Sequence, residues 1–332
     1  MKNTMKALNL HAVDDLRLDS LPLPECKDDE VLVKIAFCGI CGSDIPRVYS
    51  KGTYHFPTVI GHEFSGVVEY DPKNELTGKR VAVFPLIPCF ECKSCKNERY
   101  ALCSDYDYYG SRRDGAMAEY LAVKRFNLLI LPDDVSLEAG AMCEPSAVAC
   151  HATKKLGDIA GKSVLISGAG PIGILAAMFC THKGAERVFF FDIDESKIRA
   201  AERLGFHEYT DDVSVDVAVE GTGAGPALVR CLKALQPFGK IVLMGNPSRG
   251  VEMSQAEYWY ILRKELQLFG TWNSSYGEKE NDWRDAIDAM SKGIINPEAL
   301  ITHRFSLEEY KEAFELMRDR KDFYQKVMLE VK

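Results

Sequence analysis

The stretch "KSVLISGAGPIGILAAMFC" constrains the fold more than any other part of the chain. An apolar run, "SVLIS", leads into three glycines spaced G-x-G-x-x-G at Gly168, Gly170 and Gly173, and these open an apolar helix, "PIGILAAMFC". In that strand-turn-helix setting the spacing lets backbone N–H groups approach a phosphate at a helix N-terminus; outside it the spacing means little. The setting continues. A second apolar run, "VFFFD", ends on Asp192, 19 residues after Gly173, and then "ESKIRAAERLG", "VDVAVEG", "GPALVRCLKAL" and "GKIVLMG" keep helix and strand alternating. Such alternation predicts an α/β doubly wound parallel sheet with right-handed crossovers, a Rossmann dinucleotide domain. Gly168 is expected at the tight turn and Gly170 beside the pyrophosphate, with Pro171 and Ile172 starting the helix. Gly173 is expected in helix-strand packing and Asp192 at the ribose hydroxyls. An acid there repels a 2′-phosphate, which favours NAD over NADP. A purely structural glycine turn is the competing reading.

The chain of 332 residues suggests about two domains. Its first part reads differently from the alternating part, with short β-rich runs ("EVLVKIAF", "GVVEY", "RVAVF", "AEYLAV") between turn residues. After Tyr276, "ENDWRDAIDAMSKG" and "LEEYKEAFELMRDR" read as helices that no longer alternate with strong strands. The expected organisation is a β-rich domain over 1–147, a Rossmann domain over 148–275 and a return to the first domain over 276–332. Forty-nine acidic against 41 basic side chains give a net charge of −8, which argues against a general nucleic-acid or anionic-membrane binder. No apolar run approaches the roughly 18 residues a span requires, and the start lacks the apolar core of a secretory signal, so a cytoplasmic location is expected.

In a reducing compartment the spacing of cysteines matters more than their number. Cys89, Cys92, Cys95 and Cys103 form C-x2-C-x2-C-x7-C, a spacing that closes a four-thiolate structural zinc site and pins a loop with no core of its own. Disulfides and an iron-sulfur cluster are the alternatives. A second set is dispersed: Cys41 in "CGICGSD", with His62 and Glu63 in "GHEFSG". Each alone is weak evidence, since a lone histidine or cysteine is usually structural. Together they offer sulfur, nitrogen and oxygen, which suits a catalytic zinc with an open position.

These features together resemble the zinc-containing medium-chain alcohol and polyol dehydrogenases: "CGSD", "GHEFSG", the four-cysteine lobe, the pair Glu144-Pro145 and the glycine motif. The resemblance implies a GroES-like catalytic domain interrupted by the Rossmann domain, two zinc ions per chain, NAD, a small-molecule substrate and a homo-oligomer, either dimer or tetramer. It implies that Cys41 and His62 ligate the catalytic zinc, that Glu63 and Glu144 complete the shell directly or through water, and that the hydroxyl of Ser43 takes the substrate proton. Asp44 is implied as an orienting group. Met244, Gly245 and Asn246, with Thr271, Trp272 and Asn273, are implied beside the nicotinamide. Glu144, where alcohol dehydrogenases proper carry a cysteine, places the chain on the sorbitol dehydrogenase-like side.

Two departures from the family pattern stand out. Pro46 occupies the position of a histidine that ends a proton relay in many relatives, and proline cannot shuttle a proton. The stretch "GFHEYTDDVSVD" leaves too little chain for a full crossover helix. The motifs "CGSDIPR", "PCFEC" and "YYGSRRDGAMAEY" resemble the galactitol-1-phosphate 5-dehydrogenase branch. Arg112 and Arg113, with Arg47, are therefore expected to contribute to holding a substrate phosphate, which an arginine meets with two parallel hydrogen bonds; a solvated surface turn, or a structural role for one of the pair beside Asp114, is the competing reading. The competing readings are a dehydrogenase of an unphosphorylated polyol or secondary alcohol, such as sorbitol or butanediol, and a zinc-stabilised binding protein without chemistry.

Overall fold

The computed structural model describes residues 3–331, which divide into two units: residues up to Glu144 with those from Ser275 onward, and Pro145–Ser274.

Alternating and near-continuous apolar runs build the first unit's sheet. Its strand order is Leu128–Ile130, Arg80–Val83, Glu63–Tyr70, Glu30–Ile40, Lys326–Glu330, Ile301–Ser306, with Tyr120–Lys124 also pairing to Glu30–Ile40. A second sheet holds Asp15–Pro22, Thr4–Ala12 and Thr58–Val59. Leu8, Leu10, Val33, Ile35, Phe64, Phe314 and Leu329 fill the core beneath them, each contributing about 1.5–3 kcal/mol by leaving water. The segment after Tyr276 carries the helices Asp282–Ser291 and Tyr310–Asp319 expected from its periodicity. It also supplies the strands Ile301–Ser306 and Lys326–Glu330, which the sequence reading passed over. Lys326–Glu330 is flanked by strands on both sides and buried almost throughout, so it shows no alternation, and Ile301–Ser306 is a short edge strand with only two apolar residues, Ile301 and Phe305. Tyr276 anchors the return: its ring stacks on Phe84 at 4.2 Å and its hydroxyl donates to the Phe126 carbonyl at 2.9 Å.

In the second unit six strands run parallel in the order His207–Glu208, Arg187–Phe191, Ser163–Ser167, Val215–Glu220, Leu235–Leu243, Gln267–Gly270. The first strand in sequence lies third in space, which is the doubly wound order with its switch point beside Ser163–Ser167. Helices Pro171–His182, Glu195–Arg203 and Gly225–Ala234 make crossovers, but Glu208 reaches Val215 through turn and coil, as the shortened stretch required. The fold is the GroES-like plus Rossmann combination that the motifs implied.

Candidate active site and metal centres

Strand register brings the dispersed donors together. Glu63 starts the strand Glu63–Tyr70 and pairs with Gly39 on Glu30–Ile40, so His62 and Cys41 leave neighbouring strands at the same end. A turn then folds Cys41 back, with the Asp44 N–H donating to the Cys41 carbonyl at 2.9 Å and the Cys41 N–H to Asp44 Oδ2 at 3.0 Å. Cys41, His62 and Glu63 each place a ligand atom within 4.8 Å of the other two. Asp44 is fully buried, bonds the Arg47 guanidinium through Oδ1, and holds that oxygen 3.6 Å from His62 Nδ1. This nitrogen makes no hydrogen bond and faces the Asp44 carboxylate, which flanks one side of the imidazole. The Tyr108 ring meets His62 edge-on at 5.7 Å. Ser43 is exposed, and its hydroxyl makes no capping bond to the short helix that follows.

Lys326 was not singled out from the sequence. Val327 pairs with Ile40, and this register carries the lysine to the end of the sheet where Cys41 stands. Its ammonium donates to Glu63 Oε2, and both side chains are buried. Burial disfavours the ammonium, but the charges of Glu63 and Cys41 outweigh it and hold the lysine above its ordinary range. Gly39 makes room for the pair, since a Cβ there would lie 2.4 Å from Glu63 Oε2 and 2.7 Å from Lys326 Cε. A lysine opening the apolar run "VML" in "KVML" was the available signal.

Glu144 is buried but stands outside the three-donor group. Burial, and then the charge of Glu63, push its carboxyl up to about 7 against the pull of His62. The Cys41 thiol is pushed well up by burial and by Glu63 and Asp44. Three buried carboxyl groups and a thiol therefore share Lys326 and Arg47 as their cations, a deficit of positive charge that a divalent ion would meet. Sulfur, nitrogen and oxygen donors in this number suit zinc with a position left open.

The cysteine lobe is local. Sulfur-sulfur distances of 3.9 Å (Cys89–Cys95), 3.5 Å (Cys92–Cys95) and 3.9 Å (Cys92–Cys103) are too long for disulfides. They match the edge of about 3.8 Å for a tetrahedron with 2.3 Å zinc-sulfur bonds. A cluster would spread its cysteines over several irons, whereas all four sulfurs here lie within 4.8 Å of one another. Backbone N–H groups already point at the sulfurs, from Cys92 to Cys89 at 3.4 Å and from Cys95 to Cys92 at 3.5 Å. The Cys95 and Ser104 N–H groups bring the Cys92 thiol down to about 5, the direction that favours a thiolate.

In the second unit Gly168 takes φ +91° at the turn, and a Cβ on Gly173 would lie 2.1 Å from the Gly168 carbonyl. A Cβ on Gly170 would meet nothing within 4 Å, so space is open before the helix Pro171–His182, in whose first turn Ile172 is half-buried. Asp192 Oδ2 accepts from the Ala169 N–H at 2.8 Å and Oδ1 from the Asp194 N–H at 3.0 Å. Both oxygens are thereby fixed at the end of Arg187–Phe191. Buried Glu220 accepts from Thr222 and Gly223 N–H groups, and its carbonyl receives the N–H groups of Met244 and Gly245. Asn246 is exposed beyond them. The Thr271 N–H donates to the Leu243 carbonyl at 3.1 Å, which sets Trp272, exposed, and Asn273, at φ +53°, just past the sheet edge.

The three arginines part company. Arg47 is bonded to Asp44, and Arg113 lies 3.7 Å from buried Glu30 and 3.5 Å from Asp107. Arg112 has no carboxylate partner among the described residues; its guanidinium lies over the rings of Tyr54 and Tyr106 at 4.2 and 4.5 Å.

Residues 27–133 match the alcohol dehydrogenase GroES-like domain, and residues 137–328 match the glucose dehydrogenase C-terminus. Galactitol 1-phosphate 5-dehydrogenase of Escherichia coli K12 is 34% identical over 318 residues, covering 90% of this chain and 92% of its own length. Sorbitol dehydrogenase of Bombyx mori is also 34% identical, covering 93% and 94%. The crystal structure of galactitol-1-phosphate dehydrogenase from Escherichia coli superposes with a TM-score of 0.91 at 33% identity, over 98% of this chain and all of that one. Among the described residues, no helix is long and apolar enough to cross a membrane. On these matches, and on the paired motifs that underlie them, the chain belongs to the zinc-dependent medium-chain alcohol and polyol dehydrogenase family.

Proposed function

We propose that this oxidoreductase moves a hydride between NAD and a secondary alcohol of a sugar-alcohol phosphate, interconverting it with a ketose phosphate. The observation that carries the reading is the convergence of Cys41, His62 and Glu63 within 4.8 Å in a pocket short of positive charge. Cys41 and His62, with Glu63 or Glu144 as the further carboxylate, would hold a zinc ion there, which would supply a Lewis acid able to lower the pKa of an alcohol. Asp44 orients His62, and Lys326 holds Glu63. The hydroxyl of Ser43, which makes no capping bond, would receive the alcohol proton; with Pro46 in place of a relay histidine, that proton would have to pass on by a hydroxyl of the bound cofactor or by water. The four cysteines would hold a second zinc, which would keep the lobe in shape.

Gly168, Gly170 and Gly173 with the helix opening at Pro171 and Ile172 seat the pyrophosphate. Asp192, fixed by two backbone donors, meets the ribose hydroxyls and disfavours a 2′-phosphate. Met244–Asn246 and Thr271–Asn273 lie toward the nicotinamide. The same reading includes a homo-oligomer, checked by light scattering.

A panel of free and phosphorylated polyols, followed by NADH absorbance with NAD or NADP, tests this reading. Expected is zinc-dependent turnover with NAD and a higher kcat/KM for the phosphorylated members. Equal or better turnover of free sorbitol or butanediol would establish the unphosphorylated reading instead.

A further inference from the structure

The turn "YGSRRDG" is built against the segment that leads into His62. Gly110 and Gly115 press on Gly61 so closely that a Cβ on either would lie 2.4 or 2.2 Å from the Gly61 carbonyl oxygen. The Gly115 N–H donates to the Val59 carbonyl at 2.7 Å, the Ala116 N–H to the Gly61 carbonyl at 3.0 Å, and the Val59 N–H to Asp114 Oδ1 at 2.9 Å. On the facing loop, His55 Nε2 meets the Arg112 carbonyl at 3.1 Å. The turn is therefore registered against the residue just before His62.

Within it, charge is answered unevenly. Arg113 faces Glu30 and Asp107 and packs over the Tyr109 ring at 5.1 Å. Lys124 beside it is 2.7 Å from Asp29 and 3.3 Å from Glu30. Arg112 forms no ion pair with a described residue, and its Nε is buried without a hydrogen bond. Burying a donor of a charged group unanswered is costly, and such a group gains most from an incoming acceptor. Tyr54 and Tyr106 hold the guanidinium by their rings, so its orientation is set before any ligand arrives. Ring contacts also connect it to the donor group: Tyr106 meets Tyr108 at 6.3 Å, and Tyr108 meets His62 at 5.7 Å.

We infer that Arg112 alone of the three arginines recognises the phosphate of the substrate, held for that task by Tyr54 and Tyr106, while Arg113 and Arg47 are structural. The inference rests on the phosphorylated-polyol reading above. A phosphate offers two oxygens to the guanidinium fork, a geometry lysine cannot reproduce. Tyr54, exposed and contributed by the neighbouring loop, acts as a positioning residue.

The test is the ratio of kcat/KM for a polyol phosphate to that for the same polyol free, in wild type, Arg112→Ala, Arg112→Lys, Tyr54→Ala and Arg113→Ala, with inhibition by inorganic phosphate as a second readout. In wild type the ratio favours the phosphate. It is expected to fall about 10- to 100-fold in Arg112→Ala, as for loss of a charge-assisted bond, and nearly as far in Arg112→Lys. Tyr54→Ala, at an exposed position that leaves the core intact, is expected to lower it by about 3- to 10-fold. Phosphate inhibition should weaken in the same order, and Arg113→Ala should keep the wild-type ratio within about twofold. A wild-type preference that survives Arg112→Ala and Tyr54→Ala overturns the inference and leaves the substrate reading standing. No preference in wild type, or a preference for a sugar acid, overturns the substrate reading itself.

Discussion

Two candidate zinc sites lie in one unit, and they are built in opposite ways. Cys89, Cys92, Cys95 and Cys103 come from one short segment, are all sulfur, and are met by their own backbone N–H groups. Cys41, His62 and Glu63 come from the ends of two strands, mix three donor elements, and depend on Asp44 and on Lys326 from the far end of the chain. A closed set of like donors fixes shape; an open, mixed set surrounded by charged groups in need of balance can take a substrate. The difference teaches that the first site shapes its own lobe, whereas the second is only as good as the sheet register behind it.

The largest expected effect separates the two by loss of one ligand each. His62→Ala should lower kcat by about a thousandfold or more while far-UV circular dichroism and the melting temperature stay near wild type, because several kcal/mol of stabilisation at the reacting oxygen are lost. Cys95→Ser should do the reverse, lowering the melting temperature of the first unit and making the lobe sensitive to protease. Equal losses of activity and stability in both variants would erase the distinction. A smaller effect sharpens it: Lys326→Met leaves the buried carboxylate of Glu63 without its cation, and urea unfolding should show a loss of about 3–5 kcal/mol. A stability unchanged by Lys326→Met would mean that Glu63 is satisfied without the lysine.

Legibility in the sequence followed the same divide. The lobe could be read directly, because its four cysteines are neighbours in the chain. The Rossmann sheet could be read as well, because each strand and helix announces itself over a window of a few turns and the glycines must sit at a strand-to-helix corner. What could not be read depends on contacts between distant segments. Lys326 reaches Glu63 only through the pairing of Val327 with Ile40, in a strand too short and too buried to show a period. The arginines of "YGSRRDG" are identical neighbours in sequence, yet Arg113 turns to Glu30 and Asp107 and Arg112 to two tyrosines. Nothing local distinguishes them.

The most direct test of the two-site account is one chelator titration of the holoenzyme, with zinc content, NAD-linked activity and melting temperature read on the same samples. The account predicts that wild type starts with two zinc ions per chain, that activity disappears with the first ion lost, and that the melting temperature falls only with the second. Full activity with one zinc per chain, or activity and melting temperature falling together from the first ion, would contradict it.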